Sequence, residues 1–267
     1  MFGSLVVIFP TAHEGGSLIL RQGSKECTFD SARIVTAEST PHVAFVAFFS
    51  DIEHEVTTVS SGYRVTLTYN LYIRDNGCSA RFSGYNRTEM ALQDALSHLL
   101  MNPSFLPTGG RIGFGLSHKY PINPGATKLQ ELEKWLKGTD AAIKRVCESL
   151  ALTFSVQAVY RDSHHRVVLV NDFLKMPNTQ IYYGEVAKHL YKSNGGEVVY
   201  DFEAGPVEQD DDDDEPIEEV PIVWIRQLAE KNNLKAEYLH YGNEGTVDHV
   251  YGEICLVAKV LPSNERP

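Results

Sequence analysis

The run Phe48-Phe-Ser-Asp-Ile-Glu-His-Glu-Val56 sets one imidazole, His54, among carboxylates, and ten residues after that histidine stands Arg64. A neutral imidazole is a ligand for a divalent transition metal, and a guanidinium fork takes a carboxylate bidentately. If His54 ends one strand and Arg64 stands on the next, and both strands belong to a small barrel, the two side chains face one cavity. That geometry suits a metal-bound acid. The same residue types also describe a strand-end histidine and a surface ion pair, so types alone leave both readings open. A local metal cluster of Asp51, Glu53 and His54 is disfavoured, because alternate residues of an extended segment share a face, and His54 falls on the other one.

The elements that must position these residues are strands. The first 75 residues are dense in β-branched and aromatic side chains broken by turn residues, which predicts antiparallel strands at Leu5–Phe9, Ser17–Gln22, Ala44–Phe49 and Tyr63–Tyr72. In the last of these, Tyr63, Val65, Leu67, Tyr69 and Leu71 alternate with Arg64, Thr66, Thr68 and Asn70, giving one apolar and one polar face. Gly15-Gly16 marks a bend or a close backbone approach between strands. From Thr88 the period becomes helical. Met90, Leu92, Leu96, Leu99 and Leu100 form a stripe that stops at Asn102-Pro103, predicting a helix over 89–101. Further helices are expected at Lys128–Lys137, closed by Gly138, and at Asp140–Leu150 with Thr139 as N-cap. Strands are expected at Thr153–Arg161, Arg166–Val170 and Tyr251–Val260, and a short helix at Trp224–Lys231.

Composition narrows the classes. The chain has 267 residues, 43% of them hydrophobic and 22% charged, which is ordinary for globular proteins and enough for a large core. Much of the net charge of -11 sits in one tract, Glu208–Glu219, so the rest of the chain is close to neutral. A basic nucleic-acid footprint is therefore missing, and the tract reads as a solvated disordered loop spanning 204–220, with docking of a basic partner at 208–219 as its functional alternative. Cys27, Cys78, Cys147 and Cys255 show no metal-ribbon or redox spacing, which fits reduced thiols in the cytoplasm or nucleus. Leu5–Phe9 is too short to span a membrane and lacks the flanks of a signal peptide.

Four motifs in order carry a resemblance: Met1-Phe-Gly-Ser-Leu-Val-Val-Ile-Phe-Pro10, His13-Glu-Gly-Gly-Ser-Leu18, Ser50-Asp-Ile-Glu-His-Glu-Val56 and Ser61-Gly-Tyr-Arg-Val-Thr-Leu67. Together they resemble the Fe(II)- and 2-oxoglutarate-dependent dioxygenases of the prolyl 4-hydroxylase type, and more narrowly a group of fungal proteins carrying that domain. A looser likeness continues through Gly109–Gly115, Leu136–Ala141 and Tyr241–Glu244. The resemblance implies an α+β chain: a double-stranded β-helix, or jelly roll, over 1–75, incomplete at its N-terminus, and an α+β extension over 76–267. It implies an oxidoreductase in which a His-x-Asp pair and a distant histidine hold iron, leaving positions open for 2-oxoglutarate and O2. By this likeness His54 is the distal metal ligand, Arg64 pairs with the far carboxylate of 2-oxoglutarate, Thr66 adds a hydroxyl to it, and Ile8 lines the pocket. The substrate, a small molecule or a protein, is not implied.

The departure lies in the iron site. The family's His-x-Asp pair precedes the strand corresponding to Phe2–Phe9, and none of the ten histidines here is followed two residues later by an acid. Two of three iron ligands are thus expected to be missing, as in a fragment, a gene model begun too late, or a remnant that no longer oxidises. The alternative function is a non-catalytic binding protein descended from that fold, with an exposed sheet edge. Elsewhere, His13 is expected on an exposed loop, and His164-His165 in a solvated turn. His118 and Tyr241–Glu244 are assigned only to the shaping of a substrate cleft, and the glycines at 109–115 are no phosphate loop, since no Gly-Lys-Ser/Thr follows.

Overall fold

The computed structural model describes residues 1–37, 40–72, 87–123, 127–161, 166–174, 180–181, 186–206, 217–229, 232, 234–241 and 245–266. The architecture is mixed α+β, with strands outnumbering helices, and the chain divides into two compact units, Met1–Arg81 and Phe82–Pro267.

In the first unit the strands are β1 (Gly3–Ile8), β2 (His13–Gly15), β3 (Leu18–Gln22), β4 (Lys25–Phe29), β5 (Ala44–Phe49), β6 (Glu53–Val56), β7 (Val59–Gly62) and β8 (Thr66–Leu71), with one helix, α1 (Ser31–Thr36). They make antiparallel sheets ordered β5-β1-β8, β4-β3-β6 and β2-β7, so the chain leaves the first sheet after β1, returns in β5, leaves again and returns in β8. Val6, Ile8 and Ala44 on one face of the first sheet pack against Phe29 of β4 and Val35 of α1. Arg21 clasps Glu26 and Glu55 across the β4-β3-β6 sheet, and this guanidinium holds the Glu55 carboxyl below its ordinary range.

The two faces of β8 fall as the alternation predicts, and the register shows which is inside. Thr66 and Thr68 stand opposite the buried Ile8 and Val6, and Thr66 is half-buried there though Thr68 is exposed; on the other face Tyr69 is 51% exposed and Phe45 69%. The strand itself is shorter than the expected Tyr63–Tyr72. Tyr63–Val65 lie before it, held by single backbone bonds from Tyr63 N to Ala12 O and from Phe9 N to Val65 O.

The second unit contains α2 (Arg87–Met101), β9 (Gly110–Gly115), α3 (Leu129–Leu132), α4 (Gly138–Ser149), β10 (Phe154–Arg161), β11 (Val167–Val170), β12 (Gln180–Ile181), α5 (Val186–Asn194), β13 (Glu197–Asp201), β14 (Glu219–Arg226), β15 (Leu234–Tyr241) and β16 (Gly245–Val260). Six strands follow one another as β10-β11-β13-β14-β9-β16, and β16 pairs back onto β10, closing a barrel-like sheet. β16 is long enough to pair with β15 over its first half and with β9 and β10 over its second. Alternation sorts the core. Val159, Leu169, Val199, Ile222, Cys255 and Val257 form a cluster with no helical member, which is the barrel interior, while the opposite strand faces join residues of α2 to α5 in the larger cluster.

Several expectations are corrected. Of the helix expected at Trp224–Lys231, residues 224–229 are not helical: Trp224–Arg226 end strand β14, because Val220, Ile222 and Trp224 fill one face with apolar bulk, and this burial outweighs the helical propensity of the run; residues 230 and 231 lie outside the described residues. The Lys128–Lys137 helix contracts to α3, with Leu129 and Leu132 buried. Thr139 does not cap α4; the N-cap is Lys137, whose side chain makes no capping bond, and the Thr139 hydroxyl meets Ser117 Oγ at 2.6 Å. Of the expected disordered insertion at 204–220, residues 207–216 lie outside the described residues, but Ile217 is buried and Glu219–Val220 begin β14. Among the described residues no helix is long and apolar enough to cross a membrane.

Two predictions arise here. Gly113 pairs with Trp224, and a methyl group on Gly113 would collide with the indole ring inside the barrel. Gly113→Ala is expected to cost about 1–3 kcal/mol, the usual penalty of overpacking, and to change the near-ultraviolet dichroism of Trp224. In thiol labelling, Cys27 is exposed, whereas burial pushes the Cys147 thiol up to about 12 and the Cys255 thiol higher still. Thiolate is the reacting form, so peptide mapping after alkylation is expected to find Cys27 modified in the native chain and Cys147 and Cys255 only after unfolding.

Candidate functional site

Arg64 reaches a buried polar cluster assembled from three separate elements of the first unit. Its Nε donates to Ser31 Oγ at 3.4 Å, and Ser31, at the start of α1, is fully buried. The ring of His13, on β2, contacts the same hydroxyl through Nε2 at 3.1 Å and Thr11 O through Nδ1 at 2.7 Å. Gly16 closes the cluster. Its φ is +69°, and a Cβ there would lie 2.7 Å from Arg64 Cδ, so only glycine gives the arginine stem room. Of the close approach expected of Gly15-Gly16, Gly15 meets the backbone carbonyl of Thr58 and Gly16 the side chain of Arg64.

The guanidinium is only partly satisfied. Arg64 Nη2 is buried and has no hydrogen-bond partner among the described residues, and burial pulls the group below its ordinary pKa. Leaving a buried donor of a charged group unmade costs free energy, which an incoming anion recovers through charge-assisted bonds. Ile8, fully buried, and Thr66 stand side by side across β1 and β8, two residues along from Arg64.

His54 lies elsewhere in the same unit. It is exposed on β6 opposite Leu20, with its ring 4.8 Å from that of Phe48. Its Nδ1 lies 3.1 Å from Ile52 O; a carbonyl only accepts, so Nδ1 is the donor, and in the neutral imidazole Nε2 is the nitrogen with a lone pair. Phe48 also lines a cavity of about 850 Å³ together with Phe2, Leu20, Phe49, Ile52 and Leu71. Phe48 stands opposite Ser4 and Thr66 opposite Ile8, so His54 and Arg64 serve opposite ends of β1, roughly 13 Å apart along the strand.

Tests against the implied groups divide. An orphaned, buried guanidinium nitrogen fits the carboxylate of an organic acid. For iron, the described residues hold no group of three or more His, Cys, Asp or Glu side chains close enough together to bind a metal ion.

Other residues singled out in the sequence fall apart from this cluster. His13 is not an exposed loop residue but a buried one, because β2 pairs with β7 and turns the ring toward α1. His118 is buried in the second unit, where its backbone N–H donates to Asp140. His164, His165 and Gly242–Glu244 lie outside the described residues. Ser31 left no signal in the sequence, since nothing local in Asp30-Ser-Ala-Arg33 shows that its hydroxyl meets an arginine 33 residues away.

The cluster is thus a half-buried arginine whose buried Nη2 has no hydrogen-bond partner among the described residues. The chain matches no protein-family model, no curated protein and no solved structure, so its own residues carry the functional argument.

Proposed function

We propose that the first unit is a 2-oxoglutarate-binding core of the Fe(II)-dependent dioxygenase type, with Arg64 receiving the carboxylate distant from the metal. The observation that carries this reading is the buried, unpartnered Nη2 of Arg64. The topology supports it: a chain that passes repeatedly between a β5-β1-β8 sheet and a β4-β3-β6 sheet is what part of a jelly roll requires. Ile8 and Thr66 flank the acid, and His54, with Nε2 free to ligate, is the residue that would face iron at the cavity end of β1. In such a site Arg64 fixes the acid's orientation and the apolar wall of Ile8 excludes water from it.

The second reading, a non-catalytic organic-acid-binding protein descended from that core, rests on the same Arg64 cluster, whose residues need no metal to receive a carboxylate. Both readings share the arginine site and differ only in oxidation. Ligand-observed magnetic resonance with the whole chain tests the shared part. Recognition of the far carboxylate predicts saturation transfer to 2-oxoglutarate and to succinate, and a much weaker signal for pyruvate, whose single carboxylate belongs at the metal end. Equal signals for all three, or none, would remove the reading.

A further inference from the structure

We propose that His13 and Ser31 are positioning residues that aim Arg64 at its carboxylate; the inference rests on the reading of Arg64 given above and deepens it. Hydrogen-bond direction carries it. Thr11 O can only accept, so the proton of neutral His13 sits on Nδ1 and its Nε2 is an acceptor. Ser31 then has two acceptors within range, His13 Nε2 at 3.1 Å and Gly16 O at 3.5 Å, and the shorter contact takes its proton. With its proton committed, the Ser31 oxygen turns a lone pair to Arg64 Nε, 3.4 Å away. The chain of donors therefore runs one way, from Arg64 through Ser31 and His13 to the backbone of Thr11.

The consequence for recognition is geometric. A guanidinium can take a carboxylate along its Nε/Nη2 edge or end-on through Nη1 and Nη2. Ser31 occupies Nε, so the edge is closed and the end-on approach remains, with the orphaned Nη2 as one of its two donors. Gly16, against Arg64 Cδ, and Ser31, at Nε, fix the guanidinium from two sides before any ligand arrives. His13 and Ser31 touch no substrate; they lower the ordering cost of binding.

The test uses the whole chain and two readouts. In the ligand-free protein, the Arg64 Nε–H resonance, identified by its loss in Arg64→Ala, is expected to be protected from solvent exchange. Ser31→Ala and His13→Ala are each expected to remove that protection. Ser31→Ala keeps a helix-compatible residue at the start of α1, and His13→Asn, whose amide also accepts a proton, is expected to restore protection in part. By calorimetry, 2-oxoglutarate is expected to bind both alanine variants roughly tenfold more weakly and the Arg64→Ala variant not at all. Unchanged protection in both alanine variants overturns the inference, whatever the acid does. Wild-type-like affinity in both, with Arg64→Ala inactive, also overturns it and leaves the carboxylate site standing. Failure of the wild-type chain to bind the acid removes the functional reading, while the resonance still decides whether His13 and Ser31 hold Arg64.

Discussion

Replacing Arg64 with methionine is expected to leave the ligand-free chain as stable as before, or more stable by about 1 kcal/mol, while abolishing its stabilisation by 2-oxoglutarate. The first half follows from the orphaned Nη2, a buried donor of a charged group that the folded state leaves unmade until an anion arrives. Methionine fills a similar volume without a donor to satisfy. The second half is linkage: a ligand bound only by the native state raises its stability, by about 2.7 kcal/mol at a hundredfold excess over Kd, and the variant has nothing to bind it with. The probe must report on the first unit. Both tryptophans, Trp135 and Trp224, belong to the second, so hydrogen exchange of peptides from residues 1–72 is the suitable measurement. Marked loss of protection in the ligand-free variant would show that Arg64 is a structural residue and contradict the site.

Asp140→Ala is expected to destabilise the second unit by about 3–5 kcal/mol. Its carboxylate is wholly buried and accepts from Ser117 N and Oγ, His118 N, Tyr120 Oη and Arg226 Nη2, tying the first turn of α4 to the segment after β9 and to the end of β14. Removing the acceptor strands a partly buried guanidinium and two backbone donors at once, the situation in which loss of a buried charge costs most. Trp224, two residues before Arg226, gives the fluorescence signal for a denaturant titration. Binding of 2-oxoglutarate to the first unit at low denaturant is expected to survive the change.

The sequence announced the strands of the first unit because its apolar and polar residues alternate sharply, and β8 is the clearest case. Alternation separates two faces without saying which is covered. In β8 only Thr66 of the polar face is half-covered, because it stands beside Ile8, which α1 and β4 cover from elsewhere in the chain, while Thr68 and Asn70 are exposed. Arg64 and His54 were legible as residue types at a spacing. The partners of Arg64 were not, since Ser31 and His13 meet it only after α1 and β2 fold against the segment before β8. The same non-locality explains β14. The run around Trp224 has helical propensity on its C-terminal side, and only the closed sheet, with Gly113 leaving room for the indole, makes it a strand.

The most direct test of the central claim is calorimetric titration of the whole chain with 2-oxoglutarate, first in metal-free buffer and then with Mn(II) as an oxygen-inert substitute for Fe(II). The account predicts binding without metal, because Arg64 supplies the recognition; tighter binding on adding Mn(II) is expected of the dioxygenase reading and no change of the binding-protein reading. Binding that appears only after Mn(II), or in neither buffer, would contradict it.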